Sequence, residues 1–236
     1  MTISNDSRAR IKKVFEPIAL GMGRMGLTPD ALTLIGFAIT VVGAILLGLQ
    51  MWLLGGLVVF IGGVFDLFDG TLARATGKVS PLGAFMDSVF DRWGEGIVYV
   101  GIAWGCVAAG FGEGAVLATA ALASAVMVSY ARAKSEGLGF TSGTGMASVG
   151  LAPREIRLAI LTVGLLIVGG VGHVGPTDWV CPPDQLVLCV QPDYFVVGDA
   201  VMSGTLALIA LLASLTTIQR ILHVRRQARQ QSTQTH

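Results

Sequence analysis

The sequence predicts an all-α integral membrane protein: six transmembrane helices preceded by an N-terminal juxtamembrane amphipathic helix. Three observations carry that prediction. Apolar residues make up 53% of the 236-residue chain and charged residues only 13%, about half the charged share of a soluble domain. The mean hydropathy is +0.72. The apolar residues fall in continuous runs rather than in the short alternating segments of a transmembrane β-barrel. A soluble globular enzyme, a disordered chain and a disulfide-dense secreted scaffold are thereby excluded. The net charge of +1 gives no sign of a nucleic-acid partner, whereas its distribution points to a membrane.

Residues 1–25 carry basic residues, but Glu16, Pro17 and several glycines interrupt any apolar core of a signal peptide. They read instead as an interfacial helix with Val14, Phe15, Ile18, Ala19 and Met22 on its apolar side. Between Asp30 and Asp66 no residue is charged, too long a stretch for one span of about 20 residues. Gly48-Leu49-Gln50 divides it into helices over roughly 31–48 and 52–75. Further charge-free runs place helices near 83–107, 115–136, 154–172 and 198–222. The whole chain, 1–236, then forms one membrane domain with six spans over about 31–222 and a polar tail at 223–236, expected to fray from Gln227 to His236. The 32 glycines lack any G-X-Y period and predict close helix packing, because small residues let backbones approach inside a bilayer.

All sixteen Lys and Arg fall at the N-terminus, in the connections between helices two and three and between four and five, or at the C-terminal end. The other connections hold Glu113, Asp178, Asp184, Asp193 and Asp199 instead. Both termini and both basic loops are therefore expected to be cytoplasmic. Cys106 reads as a small packed residue. Cys181 and Cys189 lie in the outward connection, where a disulfide or two free thiols are equally compatible with the sequence.

Intramembrane carboxylates are costly and point to function. The second helix ends in Asp66-Leu67-Phe68-Asp69-Gly70-Thr71-Leu72-Ala73-Arg74, and the third begins with Gly83-Ala84-Phe85-Met86-Asp87-Ser88-Val89-Phe90-Asp91. The i,i+3 and i,i+4 spacings put each Asp pair on one helix face, and a short turn around 76–81 brings the faces together. Four anions in one place would repel one another unless cations lie between them. Oxygen-only ligands favour hard divalent cations such as Mg²⁺, and four carboxylates can hold two. A bland alternative neutralises part of the cluster through ion pairs with Arg74 and Arg92. A second alternative, a divalent-cation transporter, is disfavoured by depth, since nothing acidic lines the outer half of any span.

The pattern Asp66-x-x-Asp69-Gly70-x-x-Ala73-Arg74, eight residues, Gly83-x-x-x-Asp87-x-x-x-Asp91 resembles the signature of the CDP-alcohol phosphotransferases at every fixed position. The resemblance implies two Mg²⁺ (or Mn²⁺) ions on Asp66, Asp69, Asp87 and Asp91, a CDP-linked lipid as donor and an alcohol as acceptor. It also implies that Asp91 is the catalytic base, that Pro29, Asp30, Ala31, Leu32, Thr33, Gly70, Ala73, Arg74 and Ser80 form the CDP-lipid site, and that the protein is a homodimer. Taken alone, Thr28-Pro29-Asp30 would be a helix start with an anion-friendly end, and Ser80 a turn residue.

The segments Ser129–Glu136, Pro153–Leu158 and Ile218–Arg220 resemble those of the phosphatidylinositol-phosphate synthases. That resemblance implies inositol phosphate as acceptor, its phosphate clasped by Arg132, Arg157 and Arg220, with Lys134 and Arg154 close by. Two departures are visible: the basic position of helix four is Arg132 where Lys is common, and the Arg154–Arg157 segment lacks the fuller Glu-Arg-Pro-Glu-Arg pattern. Glycerol 3-phosphate, giving phosphatidylglycerophosphate, remains an alternative acceptor because it presents the same phosphate. The positive-inside rule alone would also place basic residues at these three sites.

Overall fold

A computed structural model describes residues 16–140, 149–175 and 196–234. The fold is all-α: α1 (16–24), α2 (Pro29–Gly48), α3 (Trp52–Thr76), α4 (Pro81–Ala108), α5 (Gly112–Gly137), α6 (Arg154–Val171) and α7 (Val197–Gln234). The packed pairs are α2 with α3, α3 with α6, α6 with α7, α7 with α5, α5 with α4 and α4 with α2. The six long helices therefore close into a ring, with α4 and α6 facing each other across it. Buried Trp52, Tyr99, Ile102, Leu165, Leu206 and Ile209 fill the interior at one end, while Leu53, Leu57, Ile61 and Trp104 are exposed on the outside. Such an apolar exterior is the expected surface of a protein solvated by lipid.

Helices α2, α3, α5 and α7 are long and apolar enough to cross a membrane. The remaining two miss that standard because they carry charge: Asp87, Asp91, Arg92 and Glu95 on α4, and Arg154, Glu155 and Arg157 on α6. Glycines bring the helices close, as expected. A Cβ on Gly43 would stand 2.7 Å from Val59 Cγ2 on α3, and Cβ atoms on Gly101 and Gly105 would run into the Ala44 and Leu47 carbonyls of α2.

Two local signals build the turn that matters. Gly77 terminates α3 with φ +67°, a left-handed C-cap open to glycine at little cost, and Lys78 N–H closes back on the Ala73 carbonyl at 2.9 Å. Four residues after Thr76, Ser80 caps α4 by accepting from Gly83 N–H at 3.0 Å, with Pro81 at its first position. Thr28 and Pro29 do the same for α2, Thr28 accepting from Ala31 N–H at 3.2 Å. The start of α2, the end of α3 and the start of α4 thus share one end of the ring.

Two expectations need correction. The C-terminal residues do not fray from Gln227: α7 runs to Gln234, since no Gly or Pro follows Gly204 and Arg, Gln and Ala favour helix. At about 57 Å, those 38 residues are longer than a bilayer is thick. In α1, Ala19 is fully buried and packs with Met22 against Leu32, Phe68 and Leu72, whereas Ile18 is exposed. The apolar side of α1 is therefore narrower than the sequence suggests and is docked on protein. Cys106 is a buried free thiol; Val14, Phe15, Cys181 and Cys189 lie outside the described residues.

Candidate active site

Asp66 and Asp69, one turn apart at the end of α3, face Asp87 on α4, and each offers a carboxylate oxygen within 4.8 Å of the others. Asp69 is buried and held on both oxygens: Thr33 donates its hydroxyl to Oδ2 at 2.5 Å, and Gly70 N–H donates to Oδ1. A fixed carboxylate of this kind is prearranged for a cation. The oxygen-only donor set fits a hard divalent ion, with no Cys or His among these residues to favour zinc.

Asp91 is not part of that trio. It lies one turn further along α4 and is tied to the trio by an arginine. Arg154 Nη1 of α6 sits 2.6 Å from Asp66 Oδ2 and 2.7 Å from Asp91 Oδ2. Arg74 and Arg92 form no ion pair with the cluster among the described residues; they donate to Thr71 Oγ1 and to the Ser88 carbonyl. Neutralisation thus comes from Arg154, which the sequence reading placed only nearby.

Two cavities border the carboxylates. The first, about 270 Å³, is lined by Pro29, Asp30, Thr33, Gly70, Ala73, Arg74 and Ser80, with Asp69 and Asp87 at its inner side and Lys78, Val79, Gly83 and Ala84 completing it. Seven of the nine residues expected at a CDP-lipid site are here. Ala31 and Leu32 are not among the lining residues: Leu32 is fully buried against Ala19, Phe68 and Leu72, and Ala31 contributes its N–H to the Thr28 cap. Small residues keep this cavity open. A Cβ on Gly83 would stand 3.1 Å from Ser80 Oγ and 3.3 Å from Asp30 Oδ1, and one on Gly70 would meet the Arg74 guanidinium at 3.2 Å.

The second cavity, about 190 Å³, is lined by Asp91, Arg92, Arg132, Arg154, Arg157 and Arg220, together with Val128, Ser129, Pro153 and Glu155. Arg132, Arg157 and Arg220, from three separate helices, therefore share one cavity with Asp91. Their engagement differs. Arg132 pairs with Glu136 at 2.9 Å, a half-exposed contact within one helix, weak and easily exchanged. Arg220 is buried and donates Nε to the Val149 carbonyl at 3.0 Å and Nη1 to the Val128 carbonyl at 2.6 Å. Arg157, only 1% exposed, is bound in bidentate fashion to Glu95 and donates Nη1 to the Ala152 carbonyl at 2.9 Å. Glu95 and the central position of Arg154 escaped the sequence reading. The available signal was Glu95 itself, a carboxylate one turn beyond Asp91 in an otherwise apolar run.

Residues 26–191 match the family described as CDP-alcohol phosphatidyltransferase. The chain belongs to this family. Similar members include the phosphatidylinositol phosphate synthase of Mycobacteroides abscessus, 35% identical over 78% of this chain and 84% of that protein. The archaetidylinositol phosphate synthase of Pyrococcus horikoshii is also 35% identical, over 73% of this chain and 89% of its own length. Among solved structures, the phosphatidylinositol phosphate synthase of Mycobacterium tuberculosis with CDP-DAG bound superposes with a TM-score of 0.69 at 28% identity, covering 90% of this chain and 94% of that one. The same enzyme in complex with manganese and citrate gives 0.69 at 29% identity, covering 89% and 88%. Of the signature residues read in the sequence, Asp69, Gly70, Ala73, Arg74, Gly83 and Asp87 line the first cavity and Asp91 the second.

Proposed function

We propose that this phosphatidyltransferase moves the phosphatidyl group of CDP-diacylglycerol to an inositol phosphate, forming phosphatidylinositol phosphate and CMP. One observation carries the reading: the cavity lined by most of the signature residues and the cavity walled by arginines both border the carboxylates, with Asp69 and Asp87 lining the first and Asp91 the second. Donor and acceptor are thereby served from opposite sides of one catalytic group. Relatives named as phosphatidylinositol phosphate synthases favour inositol phosphate over glycerol 3-phosphate.

Asp66, Asp69 and Asp87, with Asp91 beside them, would hold Mg²⁺ or Mn²⁺, two ions in all. Bound there, the metal supplies Lewis-acid neutralisation of the charge that develops on the phosphates. Thr33 and Gly70 N–H fix Asp69 for that task. The capped starts of α2 and α4 present unpaired backbone N–H groups to an anionic donor, while Gly70, Ala73 and Gly83 leave room for it and Arg74 and Lys78 supply positive charge at the rim. Asp91 takes the proton from the inositol hydroxyl. The hydroxyl oxygen bonds to the lipid-side phosphorus, the bond from that phosphorus to the bridging oxygen breaks, and CMP carries away that oxygen and the electron pair. Arg154 holds Asp91 in register, and Arg132, Arg157 and Arg220 receive the acceptor phosphate, a dianion beside carboxylates that requires such counter-charge.

In this reading the protein is a homodimer in the cell membrane. It crosses the membrane six times, with α4 and α6 completing the four apolar spans, and its active site and both termini are cytoplasmic. The deciding experiment offers purified protein CDP-diacylglycerol with inositol 3-phosphate or with glycerol 3-phosphate and identifies the lipid product. Phosphatidylinositol phosphate is expected; phosphatidylglycerophosphate alone would replace the acceptor. For orientation, cysteines placed at Lys78 and Glu113 in a Cys-free background are expected to label only from the cytoplasmic and the outer side, respectively.

A further inference from the structure

Helices α4 and α6 face each other across the ring without close backbone packing. Side chains span the gap as two parallel ion pairs. Asp91 meets Arg154 at 2.7 Å, and one turn deeper Glu95 meets Arg157 through two bonds, at 2.8 Å to Nε and 2.7 Å to Nη2. The carboxylates are spaced i,i+4 on α4 and the arginines i,i+3 on α6, so each pair repeats the other one helical turn along.

Stability does not explain the deeper pair. Its side chains are 1% and 13% exposed, and a buried ion pair is often no more stabilising than apolar residues of the same volume. What a bidentate carboxylate does fix is the plane and reach of the guanidinium. Glu95 uses two of the Arg157 N–H groups and the Ala152 carbonyl a third. The guanidinium so anchored forms part of the wall of the arginine cavity that also contains Asp91.

We propose that Glu95 is a positioning residue for the acceptor. It fixes Arg157 and, with the Asp91–Arg154 pair, the register of α6 against α4, so that the arginine wall stands at a set distance from the base. The inference rests on the reading that a phosphorylated alcohol occupies that cavity.

The test measures initial rates of full-length purified protein while varying each substrate separately. Glu95→Gln keeps the shape and removes the charge. Its KM for inositol 3-phosphate is expected to rise about tenfold, the equivalent of one charge-assisted contact, with the KM for CDP-diacylglycerol unchanged. Glu95→Asp, which keeps the charge but draws it back by one methylene, is expected to raise the acceptor KM by a smaller, still selective factor, and adding Glu95→Gln to Arg157→Gln to raise the acceptor KM no further, because coupled residues are not additive. An unchanged acceptor KM in Glu95→Gln, equal rises in both KM values, or multiplicative effects in the double variant would each overturn the proposal. Should Glu95→Gln fail to insert, Glu95→Asp carries the test alone: a selective rise in the acceptor KM supports the proposal and a parent-like value overturns it. The parent's own choice of acceptor reports separately on the function. If the parent uses glycerol 3-phosphate, the alcohol is wrong and the same ratios are read with that substrate; if it uses only an uncharged alcohol, both readings fall.

Discussion

The two cavities that border the carboxylates are built in opposite ways. The donor side draws on residues 29–87, the contiguous stretch from the start of α2 to the start of α4. Its working parts are small residues, helix starts and exposed cations such as Arg74 and Lys78. The acceptor side draws on α4 to α7, and two of its arginines, Arg157 and Arg220, are buried and bonded to backbone carbonyls or Glu95. Under the proposed function, the difference divides recognition in two. Donor binding would depend on space and backbone dipoles, which a motif can encode locally. Acceptor binding would depend on charges fixed in place before the substrate arrives, which only the assembled ring can supply.

Perturbing the boundary between the sides should produce the largest effect. Chelation of divalent cations is expected to abolish turnover with either acceptor, and added Mg²⁺ or Mn²⁺ to restore it; activity that persists through chelation would break the comparison at its centre. Asp91→Asn comes next. Loss of a general base typically lowers turnover by about 10²–10⁴-fold, and CDP-diacylglycerol binding, measured at equilibrium, should survive because the donor cavity lies on the other side of the cluster.

Smaller effects sharpen the contrast. Arg132→Gln removes an arginine whose one ion pair among the described residues is a half-exposed one with Glu136. It should raise the acceptor KM about tenfold, from the loss of one charge-assisted contact at roughly 1.5–3 kcal/mol, and leave thermal stability unchanged. Arg220→Gln should raise the same KM and also lower the melting temperature, since it removes the charged donor that ties the Val128 and Val149 carbonyls to α7. The smallest change is expected from Gly83→Ala, whose added methyl would crowd Ser80 and Asp30. A few-fold rise in the CDP-diacylglycerol KM alone would mark the donor side as limited by space, whereas a rise in the acceptor KM would erase the distinction between the cavities.

The sequence alone determined the helices, their turns and most of the lining of the first cavity. Apolar runs bounded by charge, Thr28-Pro29 and Ser80-Pro81 starts, the Gly77 stop and the i,i+3 and i,i+4 Asp spacings are all local, and helical geometry converts such spacings directly into shared faces. Even the extension of α7 to Gln234 was open to reading from the lack of Gly and Pro after Gly204. Tertiary structure alone decided which arginine meets which carboxylate. Arg154 reaches Asp66 across 88 positions of sequence and Arg157 reaches Glu95 across 62. Arginine is long and flexible, so its partner is set by where the opposing helix stands rather than by its neighbours in the chain. The same reason separates Asp91 from the Asp66–Asp69–Asp87 trio: helical spacing put the four carboxylates on facing surfaces, but the placement of α6 inserted Arg154 between Asp66 and Asp91.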